Sequence, residues 1–125
     1  MHPWFYLNMP ALARLVREVG SAYLGHYSQR RAGRSGERKI TDSIDWFVPH
    51  QISRRLIEEG CRGLGMNMDK VCITADRYGN TGSTAIPLAL DHLMSAGNLR
   101  PGSGEEVFLF GAASGFGMGH VRVVF

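Results

Sequence analysis

Residues 45–51 read Asp-Trp-Phe-Val-Pro-His-Gln, DWFVPHQ, and the reading of this stretch decides the fold. Ile44 to Pro49 is a short apolar run rich in β-formers. Its closing proline has no N–H with which to continue a central ladder, so the run predicts a buried strand ending near His50. Downstream, Ile52, Leu56, Ile57 and Cys61 fall at helical spacing, with Arg54, Arg55, Glu58 and Glu59 directed outward. A helix over Gln51 to Arg62 follows, with Gly63 as its expected stop.

The alternation continues. Val71 to Ala75, VCITA, predicts a second strand. A third helix is expected after it, capped by Ser83 or Thr84, with Pro87 in its first turn and an apolar stripe of Ile86, Leu90, Leu93 and Met94. Gly97-Asn98 ends it. Glu106 to Phe110 and His120 to Phe125 read as two strands flanking the glycine-rich run Gly111 to Gly119, GAASGFGMG, and so short a link predicts antiparallel neighbours.

Upstream, Leu12, Leu15, Val16, Val19 and Tyr23 give a helix over residues 10–27 with Pro10 in its first turn. A short strand over Trp4 to Leu7 is the only other element foreseen there. Residues 28–43 read as a loop, exposed and basic over SQRRAGRSGERK. The order α–β–α–β–α–β–β implies an α/β fold in which helices cover a mixed sheet.

The 125 residues and 44% hydrophobic content fit one small domain or part of one. The 14 Lys and Arg against 11 Asp and Glu leave a net charge of +3, too mild to make a nucleic-acid binder by itself. Five of the basic residues, Arg30, Arg31, Arg34, Arg38 and Lys39, crowd one stretch. That loop is either a solvated linker or an attractant for an acidic partner: a carrier protein, a nucleotide's phosphates or nucleic acid. Cys61 and Cys72 lie in apolar patterns without metal-ligand spacing, so they read as packing residues and no metal is expected. Their usage suits a reducing cytoplasm. The N-terminus lacks a signal-peptide pattern, and no apolar run is long enough to span a membrane.

His50 would project from a strand's C-terminal end, where open α/β sheets place ligand sites. Taken alone it reads as a histidine bonded to a loop carbonyl, and Asn80, in DRYGNTGST, reads as a turn former. If neighbouring parallel strands carry both, the imidazole N–H and the carboxamide N–H converge on one oxygen and form an oxyanion hole. The GxGxG within residues 111–119 resembles part of a phosphate-binding fingerprint, but it leads into a strand rather than a helix. No GxSxG elbow is present, which counts against a serine hydrolase.

Together, DWFVPHQ, LGMNMDKV, DRYGNTGSTAIPLALD, the GAASGFGMG run and the terminal VRVVF resemble, in order and spacing, the C-terminal part of a β-ketoacyl-ACP synthase III. The resemblance is dense over residues 45–125. It implies the incomplete C-terminal half of a thiolase-like fold and a decarboxylative Claisen condensation of an acyl thioester with malonyl-ACP. His50 and Asn80 match the family's His and Asn, which polarise the malonyl thioester carbonyl. The family's nucleophilic Cys belongs to the N-terminal half and has no counterpart here. Ser114 stands where a glycine usually supplies a backbone N–H to a second oxyanion hole, and Met118 where a tryptophan is common. Arg55 aligns with an Arg that docks the acidic carrier protein, and Arg54 and the basic loop extend that surface.

The implied substrates are acyl-CoA or acyl-ACP thioesters, with no cofactor. The implied partners are acyl carrier protein and a Cys-bearing N-terminal half or partner synthase subunit, in a homo- or heterodimer. A family half begins with one or two strands before its first helix, so exposed strand edges and an uncovered apolar face are expected. The rival expectation is a non-catalytic subunit that binds a complete synthase or a carrier protein.

Overall fold

A computed structural model describes Arg14, Glu18, Ser21, Ala22, residues 40–113 and residues 117–125. The described elements are α1 (Ile40–Ser43), β1 (Trp46–Pro49), α2 (Arg54–Gly63), α3 (Ala75–Tyr78), α4 (Ala85–Ser95), β2 (Glu106–Ala113) and β3 (Gly117–Val124). Short 3-10 turns lie at Met68–Lys70 and Gly82–Thr84. The sheet order is β1-β2-β3, with β1 parallel and β3 antiparallel to β2. Register runs from Trp46 opposite Val107 to Pro49 opposite Phe110, and from Glu106 opposite Val124 to Ala113 opposite Gly117. This is the expected mixed sheet.

Strand alternation sends neighbouring side chains to opposite faces, and each face has its own helix. Phe47 and Phe108 pack with Ile57 and Cys61 of α2, together with Ile44, Met66 and Val71. Val48 and Val107 pack on the other face with Ala89 and Leu93 of α4, together with Cys72 and Leu99. Burying each such Val, Leu or Phe contributes roughly 1.5–3 kcal/mol, so the two apolar layers fix which way the sheet faces. The result is three layers, helix on sheet on helix. At one end, Asp45 exchanges bonds with Glu106, and Trp46 Nε1 donates to the carbonyl of Asn98 just past α4.

Several expected boundaries move, for local reasons. Helix α2 starts at Arg54 rather than Gln51, because Ser53 is its N-cap, accepting from Leu56 N at 3.3 Å, and Gln51 is engaged elsewhere. Its stop is Gly65 rather than Gly63. Gly65 has φ of 68°, its N–H donates to Arg62 and that of Met66 donates to Cys61, a Schellman closure that needs a left-handed residue. Helix α4 ends in the same way at Gly97-Asn98, bonded to Met94 and Leu93, as expected. At its start the Thr84 hydroxyl donates to Thr81 O and Ser83 lies in a 3-10 turn, so neither caps the helix by a side chain.

The second expected strand shrinks to a single parallel bridge between Phe47 and Val71, with Cys72 N donating to Phe47 O at 2.9 Å. Its last residue, Ala75, instead opens α3. The glycine-rich run is mostly strand, since β2 continues to Ala113 and β3 starts at Gly117. Gly117 and Gly119 therefore belong to a ladder rather than a phosphate-binding loop. The last four residues of the expected 28–43 loop form α1.

Arg14, Glu18, Ser21 and Ala22 are helical, as expected of residues 10–27, and Arg14 pairs with Glu18 one turn on at 2.9 Å. The rest of that helix, the Trp4–Leu7 strand, the basic stretch 28–39 and Ser114 lie outside the described residues. Among the described residues β3 forms a sheet edge, with Val121 and Val124 each 58% exposed. No helix among them is long and apolar enough to cross a membrane.

Candidate active site

The parallel ladder brings three segments to one end of the sheet. β1 ends at Pro49, and the ladder continues one residue further through His50 N, which donates to Phe110 O at 2.7 Å. His50 is thereby held beside the C-terminal half of β2, and its own carbonyl accepts from Ile52 N at 3.1 Å. The segment after Val71 runs parallel to β1 and leaves the sheet at the same end. This is the edge of an α/β sheet where ligands bind.

His50 is half-buried. Its backbone is fixed on both sides, and among the described residues its imidazole has no hydrogen-bond partner. The side chain that does hold loop carbonyls is the next one. Gln51 is 1% exposed, and its Nε2 donates to Pro49 O at 2.8 Å and Cys72 O at 3.0 Å. Its Oε1 accepts from Thr74 N at 2.7 Å and Ala75 N at 3.0 Å. The carboxamide takes the place of a backbone ladder beyond Cys72, which is why VCITA is not a full strand.

Asn80 follows α3 by two residues and is exposed. Its Oδ1 accepts from Gly82 N at 3.0 Å, closing an Asx turn. The turn role foreseen for Asn80 alone is thus present, and it also orients the amide. Only an oxygen can meet a backbone N–H, so the Nδ2 protons point away from the turn and, among the described residues, have no acceptor. Gly79, at φ 70° and ψ −165°, sits in a region essentially closed to side chains and sets the chain direction into Asn80.

Arg54 and Arg55 open α2, one turn after His50. Arg54 bonds Asp76 at 2.6 Å and Glu58 at 3.3 Å. The hydrogen bond to Asp76 is the main cause of its raised guanidinium pKa, and the same bond lowers the Asp76 carboxyl. Arg54 therefore ties α2 to α3 rather than standing free. Arg55 is 88% exposed on its side chain and, among the described residues, pairs with Glu59 at 3.0 Å. An exposed pair one helical turn apart is worth about 0.3–0.5 kcal/mol, so it holds the guanidinium weakly.

Both cysteines are buried free thiols. Burial pushes Cys61 up to about 12 and Cys72 up to about 11, so at neutral pH both are protonated and neither is an activated nucleophile. Met118 is half-buried on β3 opposite Ala112. Sequence reasoning assigned Gln51 to a helix and so missed its part in the site. The available signal was a polar side chain in the run DWFVPHQI at a position where its amphipathic helix required no polar group.

A family model described as 3-oxoacyl-[acyl-carrier-protein] synthase III C terminal matches residues 37–124. The β-ketoacyl-[acyl-carrier-protein] synthase III of Neisseria gonorrhoeae is 44% identical over 80 residues, covering 64% of this chain and 24% of that protein. The enzyme of the same name from Neisseria meningitidis is 45% identical over 78 residues, covering 62% and 24%. Among solved structures, the synthase III of Thermus thermophilus superposes with a TM-score of 0.67 at 28% identity over 90% of this chain and 34% of its own. That of Pseudomonas aeruginosa gives 0.68 at 26%, with the same coverage. The chain spans about a quarter of the length of the curated relatives and about a third of the solved ones. With a family model matching most of its length and a fold shared with solved members, the chain belongs to the 3-oxoacyl-[acyl-carrier-protein] synthase III C-terminal family.

Proposed function

We propose that this chain supplies the decarboxylating half of a condensing site, in which His50 and Asn80 donate to the thioester oxygen of a malonyl group. The observation that supports the reading is the path of the chain: His50 follows the C-terminal end of β1, the segment that leads through α3 to Asn80 leaves the sheet at the same end, and Gln51 bonds the two segments together. The name of the relatives supports a carrier-bound thioester substrate.

In the proposed step the bond between the malonyl carboxylate and its α-carbon breaks, carbon dioxide leaves, and the electron pair moves into an enolate whose negative charge lies on the thioester oxygen. A neutral His50 imidazole, with its proton on Nε2, and the Asn80 Nδ2 protons are dipoles that need no reorganisation as that charge grows. The enolate carbon then attacks an acyl-cysteine carbonyl and expels the cysteine thiolate. That cysteine comes from a partner half, since burial keeps Cys61 and Cys72 protonated. The Ser114 N–H near the acyl carbonyl and Arg55 at the carrier-docking surface complete the proposal. Arg55 acts through electrostatic steering, so its removal slows carrier encounter at low salt about tenfold and less at high salt.

The test assembles the chain with a Cys-bearing synthase half and follows carbon dioxide release from malonyl thioester. Loss of one oxyanion donor in His50→Ala is expected to cost about 10²–10³ in rate. Unchanged release rejects the catalytic reading. The β3 edge, unpaired among the described residues and carrying the exposed Val121 and Val124, favours a second reading in which the chain is an interaction subunit. Under that reading the chain binds a synthase or carrier protein, and His50→Ala changes neither binding nor turnover.

A further inference from the structure

Gln51 uses the full bonding capacity of its side chain. A carboxamide has two N–H donors and an oxygen with two lone pairs, and all four are engaged by backbone groups at 2.7–3.0 Å. The group is buried, so water cannot take over any of these bonds. Its orientation is unique as well, because a flipped amide would face two carbonyls with its oxygen and two N–H groups with its own NH2.

The four partners divide between the two catalytic loops. Pro49 O belongs to the residue before His50. Cys72 O, Thr74 N and Ala75 N belong to the segment that leaves the sheet and enters α3, the four-residue helix leading to Asn80. Cys72 N to Phe47 O is the last backbone bond between β1 and this segment. Beyond it, among the described residues, the loops are joined by hydrogen bonds only through Gln51 and through the exposed pair Arg54–Asp76. An exposed ion pair holds weakly and is screened by salt, whereas unmade bonds at a buried amide leave polar groups stranded.

We infer that Gln51 is a positioning residue, whose buried carboxamide sets the separation of His50 and Asn80 and so the size of the cavity between their donors. The inference rests on the reading above that those two side chains share one oxygen. It also predicts that the site's geometry is set within this chain, before any partner half docks.

The test uses the full chain with Gln51→Met, which keeps the side chain's length and removes every bond, and Gln51→Glu, which keeps the acceptors and loses the donors until its carboxyl is protonated. In the chain alone, nuclear magnetic resonance is expected to show shifts at the Thr74 and Ala75 amides, the His50 imidazole and the Asn80 side-chain NH2 in Gln51→Met. In Gln51→Glu the Thr74 and Ala75 amides and the Asn80 side-chain NH2, compared with wild type at the same pH, return toward it as pH falls, because a protonated carboxyl again donates one bond. In the complex with a Cys-bearing half, malonyl decarboxylation by Gln51→Met is expected to lose about a hundredfold in kcat, the cost of misplacing a reacting geometry by about an ångström, with KM changed less than about twofold. Circular dichroism confirms that the variants are folded, and Gln51→Glu at low pH serves if Gln51→Met is not. His50 and Asn80 resonances that stay in place in a folded Gln51→Met overturn the inference. Failure of the catalytic reading looks different: Gln51→Met still moves the resonances, but His50→Ala leaves decarboxylation intact.

Discussion

Adding one methyl group should stabilise the protein at a glycine inside α2 and destabilise it five residues later, just past the helix's end. Gly60 lies inside α2, and an alanine Cβ there would meet nothing within 4 Å. Gly60→Ala therefore gains helix propensity without a clash, about 0.5–1 kcal/mol. Gly65 also faces open space, but its φ of 68° is left-handed. An L-residue there costs roughly 1–2 kcal/mol, and about 0.5 kcal/mol returns through a less flexible unfolded chain, leaving a net loss near ~1 kcal/mol. The two variants should thus differ by about 1.5–2 kcal/mol, tenfold or more in unfolding equilibrium, for the same added carbon. Urea unfolding followed by circular dichroism, with slopes compared to show that the denatured state is unchanged, gives both numbers. If Gly65→Ala is neutral or stabilising, the Schellman closure of α2 is wrong, and with it the account of where the helix carrying Arg54 and Arg55 ends.

Other consequences are more quickly checked. Phe108, 1% exposed, stacks on Phe47 at 5.9 Å and His120 at 5.1 Å, so Phe108→Ala should lose about 3–5 kcal/mol in the same assay, and a loss under ~1 kcal/mol would contradict the layered core. Cys61 and Cys72 have raised folded-state pKa values, so the neutral thiols favour the fold fully below the ordinary thiol range. That contribution fades as pH climbs from about 9 toward about 11 and 12. Iodoacetamide at pH 8 should label native protein far more slowly than urea-unfolded protein, and equal rates would show the thiols to be accessible. Asp76 has the opposite sign: its lowered carboxyl pKa means the Arg54 link is present above the ordinary carboxylate range and lost as pH falls below it. An acid titration of Asp76 by nuclear magnetic resonance should move upward in Arg54→Ala and is unmoved if the link is absent.

The elements that were legible in the sequence are those whose pattern is local. IDWFVP, the amphipathic spacing of α2, the Pro87 to Gly97 frame of α4 and the two terminal strands are each carried by neighbours a few residues apart. What was not legible depends on contacts across the chain. VCITA satisfies a strand pattern, yet its ladder is replaced by a side chain 21 to 24 residues away in Gln51. Gln51 itself was absorbed into a helix because the apolar spacing after it is good, and nothing in that spacing reveals four backbone partners. Arg54 read as an outward residue extending a docking surface, and nothing local reveals its partner Asp76, 22 residues on. The site shows the same division. His50 and Asn80 each look like ordinary loop residues; only the order of linked motifs joins them in the sequence, and in the structure the segment leading to Asn80 leaves the sheet at the end where His50 follows β1.

The most direct test of the central claim is the rate of carbon dioxide release from malonyl thioester by this chain assembled with a Cys-bearing synthase half, compared between wild type, His50→Ala and Asn80→Ala. Each substitution is expected to lower kcat by about 10²–10³. Both together should cost little more than either alone if the two donors act on one oxygen. Release unaffected by either substitution would contradict the account.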